Sequence, residues 1–115
     1  MKPAFKFIAA SVMLAAASGA FAQKGETVRI AMIEGLSGPF ANVGQNQLKS
    51  WQLMAQELGG AKNPAGVNFE IVGMDSKSSA QEALNLLKAA ADQGFRYVTQ
   101  GNGSNVAVPL ADAVA

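Results

Sequence analysis

The chain contains no cysteine and no histidine. The first absence rules out disulfides, and it leaves no thiol behind the N-terminal apolar run to carry a lipid. The second removes the usual general base and the commonest metal ligand. A Ser-His pair or a His-ligated zinc is therefore excluded within these 115 residues. Charge of either sign is also scarce in excess: nine basic residues stand against eight acidic ones. A nucleic-acid or membrane-surface partner needs a basic patch, and the sequence offers none. No apolar run reaches the roughly 20 residues that span a bilayer.

What is present begins at the N-terminus. Lys2 and Lys6 form a short positive segment. Phe7 to Ala10 and Val12 to Ala17 follow as an apolar core broken only by Ser11. Ala20-Phe21-Ala22 then places small residues at the two positions a signal peptidase reads. This is the three-part signature of a cleavable secretory signal peptide. The competing readings are a buried helix or a membrane anchor. The core is too short to span, and the polar Gln23-Lys24-Gly25-Glu26 follows at once. Residues 1–22 are therefore expected to be removed, leaving a mature protein that starts at Gln23, lies in the periplasm and has no lipid anchor. Removing Lys2 and Lys6 leaves seven basic residues against eight acidic ones, so the mature part is nearly neutral.

Residues 23–115 suit one small domain. Thr27 to Ile33 is a β-branched and apolar run interrupted by Arg29, the pattern of a strand buried on both faces. A loop is expected over 34–44, with Gly35, Gly38, Pro39 and Gly44. Leu48, Trp51, Met54, Ala55 and Leu58 then recur at helical spacing, which puts Trp51 in the core. Gly59-Gly60 stops that helix, and Asn63-Pro64-Ala65-Gly66 makes a turn. A second strand is read over Val67 to Met74 and a polar loop over Asp75 to Ser78. Ser79-Ala80-Gln81-Glu82 is a capping box. Its helix places Ala80, Ala83, Leu84, Leu87 and Ala91 on one face and ends at Gly94. Arg96 to Thr99 is a short third strand, and Asn105 to Ala115 begins a third helix. Pro109 fits that helix poorly, so either it starts later or its first turn is distorted. The segment ends without a C-cap glycine, and the chain is read as the front part of a longer protein. The alternation of strands and helices implies an α/β fold, an open parallel sheet with helices on both faces.

In such sheets ligands bind beyond the carboxyl ends of the strands, which here means loops 34–44, 74–79 and 100–105. In the third, Gly101 and Gly103 allow close backbone approach, and Asn102, Ser104 and Asn105 offer short polar side chains at a helix N-terminus. Free N–H groups and the helix dipole there favour an anion such as a carboxylate. The alternative is that Ser104 only caps the helix. The glycines make neither a dinucleotide nor a phosphate-loop motif. Glu34 and Asp75 resemble a carboxylate pair, although loop solvation and capping are the simpler reading. Phe40, in a Gly-Pro loop, either faces a ligand or folds back as a plug.

VRIAMIEGLSGPFANVGQ resembles the opening strand and loop of the periplasmic solute-binding proteins of branched-chain amino acid ABC transporters, the leucine/isoleucine/valine-binding, type I class. Asp75 after strand two, the Gly94-Phe95 turn and the segment YVTQGNGSNVA keep that family's order. The resemblance implies a non-enzymatic, cofactor-free protein of two lobes that closes over a small carboxylate solute and delivers it to a membrane permease; this chain supplies the beginning of the first lobe. It implies solute-binding roles for Asn102, Gly103, Ser104 and Asn105, with Phe40 and Val43 from the first loop. Two departures, Ser104-Asn105-Val106 in place of a serine run and Val43 in place of an aromatic residue, point away from amino acids. The TQGNGS form resembles a branch that takes aromatic carboxylates. The same fold also serves as the ligand-sensing domain of receptors.

The leader generates the first prediction. When the gene is expressed with its own leader in a bacterial host, intact-mass spectrometry of the periplasmic fraction will give a species beginning at Gln23. Recovery of an uncleaved Met1 form from the cytoplasm would refute the assignment.

Overall fold

The computed structural model describes residues 25–115; the signal-peptide assignment lies outside them. Three strands, β1 (Thr27–Glu34), β2 (Asn68–Asp75) and β3 (Tyr97–Thr99), alternate with three helices, α1 (Ala41–Leu58), α2 (Ala80–Asp92) and α3 (Ser104–Val114). The sheet is fully parallel in the order β2-β1-β3. Thr27 pairs with Asn68 and Glu34 with Asp75, so β1 and β2 finish level. Ile30, Ala31 and Met32 pair with Tyr97, Val98 and Thr99 on the other side.

Side-chain alternation sends odd and even residues of β1 to opposite faces. On one face Ile33 packs with Ala83, Val106 and Leu110, and Ala31 packs with Ala90 and Phe95. That face carries α2 and α3. On the other, Ile30 and Ile71 lie beneath Trp51, Met54, Ala55 and Leu58 of α1. Helices thus cover both faces, as the alternating sequence implies. Full burial of a side chain such as Ile33 stabilises the fold by about 1.5–3 kcal/mol.

The caps of α2 follow the sequence. The Ser79 hydroxyl accepts from Glu82 N at 3.3 Å. At the other end Gly94 N donates to Ala91 O and Phe95 N to Ala90 O, both at 3.0 Å, with Gly94 at φ 86°. These are the paired bonds of a Schellman motif, and Phe95 packing on Ala90 completes it. The buried face of α2 is centred on Ala83 and Ala90 rather than reaching Ala91, which is exposed. Two turns separate Ala83 from Ala90, which keeps both on the sheet.

Three expectations are corrected. First, the loop after β1 is shorter than 34–44. A single 3-10 turn (Gly38–Phe40) leads into α1 at Ala41, which takes Val43 and Gly44 into the helix. Gly44 is there because α1 crosses the end of β1 closely: a Cβ on it would stand 2.0 Å from Gly35 O and 3.1 Å from Glu34 Cγ. Second, Trp51 is not in the core but 42% exposed. It lines an open apolar hollow of about 220 Å³ with Ile30, Met54, Leu58, Phe69 and Ile71. Helix α1 is tight against the sheet at its first half, where Leu48 fills the space that a side chain on Gly73 would need. A single helix does not cover the rest of that face. Third, α3 does not start late. It runs from Ser104 through Pro109, whose missing N–H leaves the Asn105 carbonyl without its helical donor.

Glycine in a helix interior normally costs about 1 kcal/mol relative to alanine. At Gly44 the sign reverses. Gly44→Ala will destabilise the protein by about 1–3 kcal/mol, because backbone, not a movable side chain, occupies the space. Urea midpoints of the two proteins measure this; an unchanged or raised midpoint would show that α1 does not approach Gly35 so closely.

Candidate functional site

Level, parallel strand ends bring the three loops together at one edge of the sheet, and four long-range hydrogen bonds join them. Leu36 N donates to Asp75 Oδ1 at 2.9 Å, tying the first loop to the second. Gly101 N donates to Glu34 Oε2 at 2.9 Å, tying the third to the first. Asn105 Nδ2 donates to Ser78 O at 3.1 Å, tying the third to the second. Gln47 Nε2, from α1, reaches Gly101 O at 3.4 Å. Its Oε1 is buried with no partner among the described residues.

Glu34 and Asp75 are register partners at the strand ends but do not act as an acid–base pair. Glu34 is fully buried and accepts from Gly35 N at 3.2 Å as well as from Gly101 N. Neither solvation nor capping, the roles expected of it, describes that position. Asp75 Oδ1 accepts from both Leu36 N and Lys77 N at 2.9 Å. Burial pushes the Asp75 carboxyl up; donation from the Ser37 hydroxyl and from the amides of Lys77, Leu36 and Ser37 outweighs it and holds the group below its ordinary 3.8. The second loop turns sharply through Lys77 (φ 53°) and Ser78 (φ 58°), closed by Ser79 N donating to Ser76 O at 2.9 Å. Two consecutive non-glycine residues in the left-handed region are strained. Ser76, fully buried, steadies the turn by accepting from Ser78 N at 3.3 Å.

The third loop is organised from within. Gln100 Nε2 donates to the carbonyls of Asn102 and Gly103, the latter at 3.3 Å. Gly103, at φ 91°, is the N-cap of α3, and its carbonyl accepts from Val106 N and Ala107 N, both at 3.0 Å. Ser104 is therefore the first residue of the helix and its hydroxyl makes no capping bond. This removes the reading in which Ser104 only caps. Ser104 is exposed, and neither its hydroxyl nor the Ser104 and Asn105 amides have partners among the described residues. Asn105 is exposed too, but its amide nitrogen is already engaged at Ser78. Gly101 has a local reason to be glycine, since a Cβ would stand 2.7 Å from Gln47 Oε1.

Phe40 and Val43 lie at the start of α1, 50% and 47% exposed. Phe40 is thus no plug folded into the core. The sequence reading gave Glu34 the wrong role and singled out neither Gln47 nor Gln100. Only Glu34 carried a signal, as an acid ending an otherwise apolar central strand.

Asp75 generates a pH prediction. A carboxyl held below its ordinary value adds stability that is complete well above 3.8 and is lost as pH falls through and below it. In the complete gene product, Asp75→Asn will lower stability at pH 7 by about 1 kcal/mol, since Asn keeps the acceptor oxygen but not its charge. The difference from wild type will shrink towards zero as pH drops below 4. Urea unfolding across pH 3 to 7 tests this; a gap that widens in acid would reverse the assignment.

A model of the periplasmic binding protein family matches residues 27–115. Leu/Ile/Val-binding protein homolog 4 of Brucella abortus (strain 2308) and its counterpart in Brucella suis biovar 1 (strain 1330) are each 33% identical over 108 residues. The alignment covers 91% of this chain and 24% of each relative, so the chain spans about a quarter of the length of these curated relatives. Among solved structures, an ABC transporter substrate-binding protein from Sphaerobacter thermophilus superposes with a TM-score of 0.61 at 21% identity, over 77% of this chain and 24% of that one. That likeness concerns the fold. The family match runs from the first residue of β1 through α3, and the chain belongs to the periplasmic binding protein family.

Proposed function

We propose that this chain is the opening part of the first lobe of an extracytoplasmic solute-binding component of an ABC importer. The protein is exported by cleavage after Ala22, takes a branched-chain or other hydrophobic amino acid or a related carboxylate, holds it by lobe closure and delivers it to a membrane permease. It performs no catalysis. The observation that carries this reading is the start of α3: an exposed Ser104 hydroxyl and two unpartnered amides, at the carboxyl edge of a parallel sheet, in a member of the periplasmic binding protein family. Such a helix start receives a carboxylate through N–H donors and the helix dipole. Asn102 and Gly103 shape the approach, Asn105 contributes its amide N–H, and Phe40 and Val43 offer apolar surface from α1 to the rest of the solute. The Leu/Ile/Val-binding names of the relatives favour the branched-chain reading. The TQGNGS segment favours aromatic carboxylates, and calorimetry with leucine and benzoate separates the two.

Ser104→Ala in the complete gene product tests the site. The variant deletes one donor to a charged group, worth about 1.5–3 kcal/mol, which corresponds to a roughly 10- to 150-fold loss of affinity. Because the hydroxyl caps nothing, the melting temperature of the ligand-free protein will hardly change. Unchanged affinity for whichever of leucine and benzoate binds the wild type would remove Ser104 from the site.

A further inference from the structure

Glu34 is an unusual residue to find where it is. Its carboxylate is fully buried at the end of the central strand, under the first turns of α1, with Gly44 passing 3.1 Å from Glu34 Cγ at its would-be Cβ. An ionised group in such a place is costly unless donors surround it. The ion pairs among the described residues are Arg29–Glu70, Lys62–Glu57 and Lys88–Asp92, none of which includes it. Its recorded donors are two backbone amides: Gly35, its neighbour, and Gly101, 67 residues away. A strand end needs no such acid to pair with β2 or β3. The bond to Gly101 therefore calls for its own explanation.

That bond acts on the turn leading to Ser104. Holding Gly101 N inward removes this amide from the donors available at the open edge and fixes the start of the turn whose next amides, from Asn102 to Asn105, donate to no acceptor among the described residues. It also anchors one end of the turn, whose interior Gln100 braces through the Asn102 and Gly103 carbonyls. Gln47 secures the outer side through Gly101 O. We propose that Glu34 is a positioning residue of the solute site: its buried carboxylate fixes the Gly101–Ser104 turn and so sets where Ser104 and the first amides of α3 face the solute. The proposal rests on the solute-binding reading above for its functional half; the hold on Gly101 stands apart from it.

The two halves are read separately in the complete gene product. Backbone hydrogen exchange by NMR reports the Gly101 bond directly. In the wild type the Gly101 amide will be protected. In Glu34→Gln, where an amide group replaces one acceptor oxygen, Gly101 will exchange about 10-fold faster or more while the amides of β2 keep their wild-type protection. Calorimetry with leucine and with benzoate reports the site: whichever binds the wild type will bind Glu34→Gln about 10-fold more weakly, although Glu34 is too buried to touch it. If Glu34→Gln does not accumulate as folded protein, Glu34→Asp, which keeps both oxygens but is one methylene shorter, is read in the same two ways. A Gly101 amide that exchanges freely in the wild type, or as slowly in the variant as in the wild type, overturns the hold on the turn. Faster exchange with unchanged affinity overturns the positioning role. Failure of the wild type to bind either compound sinks the proposed solutes instead, and the exchange result still decides what Glu34 does.

Discussion

A carboxylate sealed from water, with two backbone N–H groups as its donors, sits where β1 ends. Its position follows from the strand order. β1 lies between β2, which pairs with it as far as Glu34, and β3, which pairs with it as far as Met32, and Glu34 at its end is fully buried. A polar side chain there cannot reach solvent and must be satisfied internally. Among the described residues its donors are the backbone amides of Gly35 and Gly101, in the loops that follow β1 and β3. The central strand thereby becomes the fixed point to which the carboxyl edge of the sheet is tied.

The second loop is tied by the same logic at lower burial. Asp75 gathers amides from its own loop and from the first, and the strained turn at Lys77 and Ser78 is closed over buried Ser76. Asn105 then reaches back to Ser78 O. Each loop is bonded to both of the others, so none can shift alone. A binding surface assembled from loops gains rigidity from this arrangement, and rigidity of the first contacts is what lets a site discriminate between solutes of similar size.

Much of this was legible in the sequence because it is written in local chemistry. The strand and helix alternation, the Ser79 cap and the Gly94 stop depend on neighbours within a few residues, and each stands where periodicity and capping place it. The three loops were identifiable for the same reason, since they follow the strands. What was not legible depends on partners far along the chain. Gly44 looks like a loop residue until the carbonyl of Gly35 is set 2.0 Å from its would-be Cβ. Trp51 has helical spacing suited to a core, but spacing does not say how many helices share that face of the sheet. Glu34 meets Gly101 across 67 residues, a pairing that no local pattern encodes. Ser104 differs from these by a single position: a glycine at φ 91° took the capping place, and the serine moved into the helix with its hydroxyl free.

The topology also bears on when the chain can fold. Strand β1 is complete by residue 34, but its partners begin at Asn68 and Tyr97. No hairpin lies among these strands, since parallel neighbours need a crossover between them. A chain made from its N-terminus thus presents β1 first, with both edges bare, and the strand stays unpaired until dozens of further residues have appeared. Sheets built from distant pairings form slowly for this reason. Slow closure leaves the edges of β1 open for as long as β2 and β3 are missing: the order of the strands itself delays compaction.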